Sequence, residues 1–370
     1  MAVPLMDPRA QYEPYVGELE QIAADVIRSG QFILGPHVKA FEAEAAAYLG
    51  VKHAIGVANG TDAITIALRA LGVQPGDEVI CPAYTFFATP ETISSVGAVP
   101  VFADVDPDTN NLDVESVRAR ITGKTKAIVL VHLFGQVADM PALLALAAEH
   151  DLKVIEDSAQ AWGAEQDGTK AGAFGDASTF SFFPTKNLPA FGDGGLIATN
   201  SDEVNELVRM LRFHGSKDKK VFELVGYNSR LDDLQAAILR RNLQEVDGWN
   251  AHRRQVAAWY EEAGLGDLVE LPPVGEGNVP IWHLYVVRTD HREALVEACR
   301  ERGVGATVYY GEPHHTQPVY DSLGYAPGDL PVTERLCATG VALPMFATMT
   351  RDQVTEVVEA VRAGVPAGVR

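Results

Sequence analysis

The sequence predicts an α/β protein: a mainly parallel sheet of seven strands sandwiched by helices, followed by a smaller C-terminal α/β domain. Three observations carry that prediction. From about residue 50 to 200, short apolar runs alternate with helical patterns, the order that builds strand–helix–strand crossovers and a parallel sheet. Most of those runs are apolar on both faces, as strands covered above and below must be. After a Gly/Pro stretch, LPPVGEGNVP (271–280), strand and helix patterns resume on a smaller scale. Length alone argues for two or three domains, and the expected division is 1–250, a large domain with an N-terminal arm, and 251–370.

The elements follow in order. Strands are expected at 53–58, 78–82, 99–105, 127–133, 153–157, 178–183 and 196–199, with helices at 61–71, 113–121 and 141–150 between them. A Gly/Pro loop rather than a helix joins the last two strands, which leaves room for one of them to run antiparallel. Helices are expected at 202–213 and from 231 to about 263. The C-terminal part reads as a strand (282–287), a helix (291–302), a strand (306–310) and a closing helix (351–361).

The chain of 370 residues has 30 basic and 50 acidic side chains, a net charge of −20, with 47% hydrophobic and 22% charged residues. That composition excludes wholesale disorder. The acidic excess repels phosphate backbones and anionic headgroups, against a nucleic-acid binder or a membrane-docked protein. No apolar run reaches the length of a membrane span, and the start has no secretory pattern. Cys81, Cys299 and Cys337 are odd in number and far apart. They form neither a disulfide framework nor a metal-ligand spacing, so a reduced cytoplasm is expected and no metal.

Three segments carry chemistry. In VANGTDA (57–63) an apolar strand enters a Gly turn and then an amphipathic helix. The N–H groups of the helix start, its dipole and the Thr61 hydroxyl can hold a phosphate. An Asn-Gly turn with a Thr or Asp N-cap accounts for the same residues. No G-x-G-x-x-G follows any strand, which removes the main support for a dinucleotide fold. In VIEDSAQ (154–160), Glu156 and Asp157 are strand neighbours and face opposite sides, so they are not a catalytic carboxylate pair. Asp157 stands at the carboxyl edge, where α/β ligands bind, although a capping or ion-paired Asp fits equally. In STFSFFPTKNL (178–188) a β-rich aromatic run delivers Lys186 into a loop closed by Gly192, Gly194 and Gly195. A lysine held among aromatic groups has a lowered pKa and can form a Schiff base. A phosphate cradle, a strand-end Asp and a loop Lys together are the parts that pyridoxal phosphate (PLP) requires.

With these residues in view, the sequence closely resembles the DegT/DnrJ/StrS family of PLP-dependent sugar aminotransferases of the aspartate-aminotransferase (type I) fold. The resemblance runs from Gly35 to about Pro344 and is carried by NGTDAI (59–64), PGDEVICPAYTFFAT (75–89), GAVPVFADVDPDT (97–109), TKAIVLVHLFGQVADM (125–140), IEDSAQAWGA (155–164), FSFFPTKNLPAFGDGG (180–195) and GYNSRLDDLQAA (226–237). It implies that Lys186 forms the Schiff base and shuttles protons, and that Asp157 keeps the pyridine nitrogen protonated. It implies Gly60, Thr61 and Ser181 at the phosphate, Gln160 near the ring hydroxyl and Phe86 stacked on the ring. Asn228 would reach the phosphate of a partner subunit, so a homodimer with shared sites is implied. Arg230 would contact substrate or pair across the interface. Dehydratase members of the family carry His where this chain has Lys186, so lysine implies transamination: an amino-acid donor such as glutamate in one half-reaction, a nucleotide-linked 3-keto or 4-keto sugar in the other.

The substrate segment departs from the family pattern. In YYGEPHHTQP (309–318), His315 and Gln317 match and are joined by Tyr310 as a substrate candidate, Gly311 replaces a proline, and Glu312 adds a negative charge that disfavours a uronic acid, although a Glu312 pointing to solvent fits equally. Trp162 and Pro189 also differ from the usual residues. The loop HGSKDKK (214–220) is basic in an acidic chain; the resemblance implies that it lies near a partner's active site, making Lys217 and Lys219 candidates for the nucleotide diphosphate, although a solvated surface loop fits the same residues. An aminotransferase acting on a keto-cyclitol, and a non-catalytic PLP-binding homologue, are the alternatives to a nucleotide-sugar enzyme.

Overall fold

A computed structural model describes residues 2–366. Its centre is a seven-stranded sheet of β1 (His53–Val57), β2 (Glu78–Pro82), β3 (Val99–Ala103), β4 (Thr125–Val131), β5 (Lys153–Asp157), β6 (Ala177–Ser181) and β7 (Gly195–Thr199). Their spatial order is β1-β7-β6-β5-β4-β2-β3. β7 runs antiparallel to both β1 and β6, and every other pair is parallel. The helix-free connection between β6 and β7 is what permits the reversal, since a parallel return needs a long crossover, usually helical.

Alternate residues of each strand feed two cores, as the pleat requires. On one face Val79, Val129 and Ile155 meet Ala63, Ile64, Ala67 and Leu68 of the helix Gly60–Ala70. On the other, Ile80, Ile128, Leu130 and Val154 meet Met140, Leu143, Leu146 and Ala147 of the helix Met140–Glu149. A further core gathers Val256, Tyr260, Leu295, Val341 and Val357 and takes in Val3 from the start of the chain. Because β1, β2, β4, β5 and β6 all point the same way, Val57, Pro82, Val131, Asp157 and Ser181 end at one edge. Cys81, Cys299 and Cys337 are buried and unpaired. Among the described residues no helix is long and apolar enough to cross a membrane.

Two expectations need correction. The expected helix from 231 is two helices, Asp233–Leu243 and Val246–Glu262. Tight i→i−3 bonds from Gln244 N–H to Arg241 and from Glu245 N–H to Asn242 break the ladder between them. The break lets the first helix bury Ala236 and Leu239 in one core while the second carries Val256 and Tyr260 into another. The expected strand at 306–310 contributes only a bridge between Thr307 and Ala342. Tyr309 and Tyr310 are instead held by side chains of the large sheet's edge: the Tyr84 hydroxyl donates to the Tyr309 carbonyl and Gln160 to the Tyr310 hydroxyl. The C-terminal ladder pairs Tyr285–Arg288 with Gly340–Leu343, a strand the sequence reading passed over. Helices at Val16–Ser29, Pro36–Leu49, Ala88–Ser95 and Pro331–Thr339 were also unassigned.

Glu156 and Asp157 face opposite sides, as expected. Glu156 is fully buried and accepts from the N–H groups of Gly172 (2.7 Å), Phe174 (2.9 Å) and Gly175 (2.7 Å). Its fourth partner is His132 Nε2 at 2.9 Å. The Ala138 N–H donates to His132 Nδ1, so the ring proton lies on Nε2 and points at the carboxylate. Glu156→Ala orphans these donors in the interior and is expected to cost about 3–5 kcal/mol. Denaturant titration against the wild type measures it; a loss below about 1 kcal/mol would contradict this accounting.

Candidate active site

Asp157 ends β5 and is buried. Its Oδ2 accepts from Thr89 Oγ1 at 2.9 Å and its Oδ1 from the Ala159 N–H at 3.2 Å. Thr89 spends its one proton on Asp157, so the Thr85 hydroxyl, 3.2 Å away, donates to Thr89 in turn. Burial pushes the carboxyl above the usual range, against the opposing pull of Thr89, the Ala159 N–H, Lys186 and His132. Such a group is stabilised as a carboxylate by a fixed positive donor nearby, and a protonated pyridine nitrogen is one.

Lys186 follows β6 in a tight turn, its N–H bonded to the Phe183 carbonyl at 2.8 Å. Burial lowers its amine to about 8, while the Asp157 charge pulls the other way. Near physiological pH such an amine is about one-fifth neutral, far more than a lysine at its ordinary value, and that fraction is nucleophilic.

Gln160, buried beside Asp157 in the chain, accepts from the Phe134 N–H at 2.8 Å and donates to the Tyr310 hydroxyl at 3.0 Å. The Tyr310 ring stacks 6.3 Å from Phe134 and lies tilted 6.3 Å from Phe86. Phe86 is 57% exposed and so is not a core residue; its ring is available to cover a flat ligand.

The turn after β1 forms the third part. Asn59 Oδ1 caps the helix Gly60–Ala70 by accepting from the Asp62 N–H at 2.8 Å. A Cβ on Gly60 would come within 2.8 Å of Ser181 Cβ, so glycine allows the helix start to close on the end of β6. Gly60, Thr61 and Ser181 thus meet at one edge, with free N–H groups and hydroxyls suited to a phosphate.

These residues fit PLP: a buried carboxylate short of positive charge, a depressed amine, and a cradle that a Cβ would fill. The remaining candidates lie elsewhere. Asn228 is exposed and bonded to Arg230, whose guanidinium sits 5.8 Å from the Phe213 ring centroid. Lys217 is exposed and ion-paired with Glu206, and Lys219 lies 4.7 Å over Phe213. His315 is 1% exposed and turned onto Glu334 of the helix Pro331–Thr339 at 3.1 Å. Its neighbour His314 turns the other way, with Nε2 2.8 Å from the Thr85 carbonyl. Trp162 packs at 5.4 Å against Tyr48, and Pro189 accepts from Asn242 at 2.8 Å. Thr89, Phe134 and His314 were missed. The signal for the first was the Thr85–Thr89 spacing of four, running from the loop into the helix Ala88–Ser95; Phe134 acts through its backbone, which leaves no side-chain signature.

Only the free amine attacks an aldehyde, which sets a pH dependence. Uptake of pyridoxal phosphate by the cofactor-free protein is expected to speed up as pH rises through about 8 and then level off. Stopped-flow absorbance follows it; a rate that keeps climbing toward the ordinary lysine value of 10.5 would contradict the assigned environment.

Comparison with known proteins places nearly the whole chain in one family. The model of the DegT/DnrJ/EryC1/StrS aminotransferase family matches residues 16–362. A Geobacillus stearothermophilus protein named a pleiotropic regulatory protein is 49% identical, covering 97% of this chain and 97% of its own. The UDP-N-acetyl-3-dehydro-alpha-D-glucosamine 3-aminotransferase of Acidithiobacillus ferrooxidans is 42% identical, covering 98% and 97%. The crystal structure of S. venezuelae DesV in complex with a ketimine intermediate superposes with a TM-score of 0.95 at 42% identity, covering 98% of each chain. The chain belongs to the DegT/DnrJ/EryC1/StrS aminotransferase family.

Proposed function

We propose that this PLP-dependent aminotransferase moves an amino group from an amino-acid donor, glutamate, to the keto carbon of a nucleotide-linked 3-keto or 4-keto sugar, working as a cytoplasmic homodimer with shared sites. The observation that carries the reading is the pairing of a depressed Lys186 amine with buried Asp157 beside the Gly60–Thr61–Ser181 cradle. PLP, when bound, supplies an electron sink that makes the carbon bearing the transferred nitrogen acidic. Asp157 holds the pyridine nitrogen protonated. Lys186 Nζ takes the proton from the donor carbon and returns one to the keto carbon in the second half-reaction. Gly60, Thr61 and Ser181 hold the phosphate, Phe86 covers the ring, and Gln160 with Tyr310 fixes its opposite edge.

The relative named a 3-aminotransferase of a UDP-linked 3-dehydro sugar favours carbon 3 within this reading. Another relative carries a regulatory name; the complete Lys186, Asp157 and Gln160 set supports chemistry over a purely regulatory role. Exposed Phe32, Ile33, Phe191, Val221, Phe222 and Val225 support a homodimer, because apolar side chains of that size are costly to leave in water. Asn228 and Arg230 lie on the same loop and would face the partner's cofactor, with Lys217 and Lys219 near the nucleotide diphosphate. The division into 1–250 and 251–370 belongs to the same reading. It is supported by the separate core around Tyr260 and Leu295, though Val3 crosses the division.

The test is mass spectrometry on UDP-, dTDP- and GDP-linked 3-keto and 4-keto sugars with isotopically labelled glutamate. Label in the sugar is expected, and Lys186→Ala abolishes it. An active donor half-reaction with no nucleotide-linked product would overturn the substrate class. Replacing Lys217, Lys219 and Lys220 by Gln should raise KM for the sugar several-fold while sparing the glutamate half-reaction; equal losses in both would contradict the loop's role.

A further inference from the structure

Next to Lys186, the side chain of Asn187 turns inward and is 4% exposed. Its Nδ2 donates to the Ile281 carbonyl at 3.1 Å and to Asn250 Oδ1 at 2.8 Å. Asn250 is oriented independently, since its Nδ2 donates to the Trp162 carbonyl at 3.0 Å. Carbonyls only accept, so both amides are fixed, and Asn187 Oδ1 faces His283 Nδ1 at 3.2 Å. The ring proton of His283 therefore lies on Nδ1.

The backbone of His283 is pinned as firmly. Its N–H donates to the Phe134 carbonyl at 2.9 Å, and the Ile281 N–H to Gly135 at 2.9 Å. A Cβ on Gly135 would lie 3.0 Å from the His283 nitrogen. Phe134 is the residue whose N–H holds Gln160. A continuous set of contacts thus runs from Gln160 through Phe134 and His283 to Asn187 and the Lys186 loop.

We propose that His283 is a positioning residue for Lys186, holding the lysine loop through its contact with Asn187. The proposal rests on Lys186 being the cofactor-bearing lysine. The titratable and charged groups facing His283 are Lys186 and Arg253, and Asp157 faces Lys186 from β5. Arg253 is buried on the helix Val246–Glu262 and donates to the Trp282 (3.1 Å) and Met345 (2.9 Å) carbonyls. Burial, then the positive charges of Lys186 and Arg253, push His283 well below the usual imidazole value. It stays neutral while Lys186 titrates, so one cation rather than two changes charge in the pocket. Releasing Asn187 would let the loop, already open to water at Phe183, shift and expose the amine further, relieving the burial that keeps it near 8.

The experiment measures how the reactivity of Lys186 toward acetic anhydride depends on pH in the cofactor-free chain, by peptide mass spectrometry. The same variants, cofactor-loaded, are titrated by visible absorbance. His283→Leu is expected to raise the labelling midpoint by about one pH unit or more toward the ordinary lysine value. His283→Asn, whose amide can still donate to Asn187, should keep the wild-type midpoint. A folded His283→Leu protein with an unchanged midpoint would overturn the proposal. If that variant does not fold, Asn187→Ser removes the acceptor and is read in the same way. A wild-type protein that labels near pH 8 yet takes up no pyridoxal phosphate would defeat the cofactor reading and leave the positioning result to stand on the labelling.

Discussion

The carboxyl group of Asp157 is buried at the end of β5 with two neutral donors, Thr89 and the Ala159 N–H, and with Lys186 and His132 as its electrostatic neighbours. Removing a carboxylate from water costs several kcal/mol unless hydrogen bonds and positive charge compensate, and here folding supplies only part of that compensation. The same dry environment depresses Lys186. Each group is unfavourable on its own terms, and each becomes useful when a pyridine nitrogen and an aldehyde arrive together. The rest of the structure is arranged to tolerate this. Six strands end at one edge, Thr85 and Thr89 line the carboxylate, and Glu156 takes the opposite face of β5 with four donors of its own.

In the proposed site a chain of net charge −20 would hold phosphate with groups that carry no formal charge: N–H groups at the start of the helix Gly60–Ala70 and the hydroxyls of Thr61 and Ser181. Net charge therefore restricts macromolecular partners through the long-range field. It says little about a small anion bound at hydrogen-bond distance. The basic loop is weaker evidence than its composition suggests, since Lys217 already pairs with Glu206.

How much was legible in the sequence follows from the physics of each element. Buried parallel strands announce themselves as apolar runs, and all seven were found within about two residues. Asp157 and Lys186 stand out in the sequence because one ends such a run and the other lies in the loop after one, and the structure makes them electrostatic neighbours. The C-terminal part read less well. Tyr309 and Tyr310 have strand-like side chains, yet tertiary bonds to Tyr84 and Gln160 decide their course. Gly340–Leu343 is too short to distinguish from a helix end. His315 was chosen over His314 by pattern, and only packing shows which ring faces Thr85 and which faces Glu334. His283 and Asn187 had no local signal, because their partners lie 96 positions apart.

The central claim is that Lys186 is the amine that bears the cofactor. Borohydride reduction of the cofactor-loaded protein, followed by peptide mass spectrometry, tests it most directly. The account predicts a pyridoxyl adduct on the peptide containing Lys186 and on no other lysine. An adduct on a different lysine, or none on a protein that retains bound pyridoxal phosphate, would contradict it.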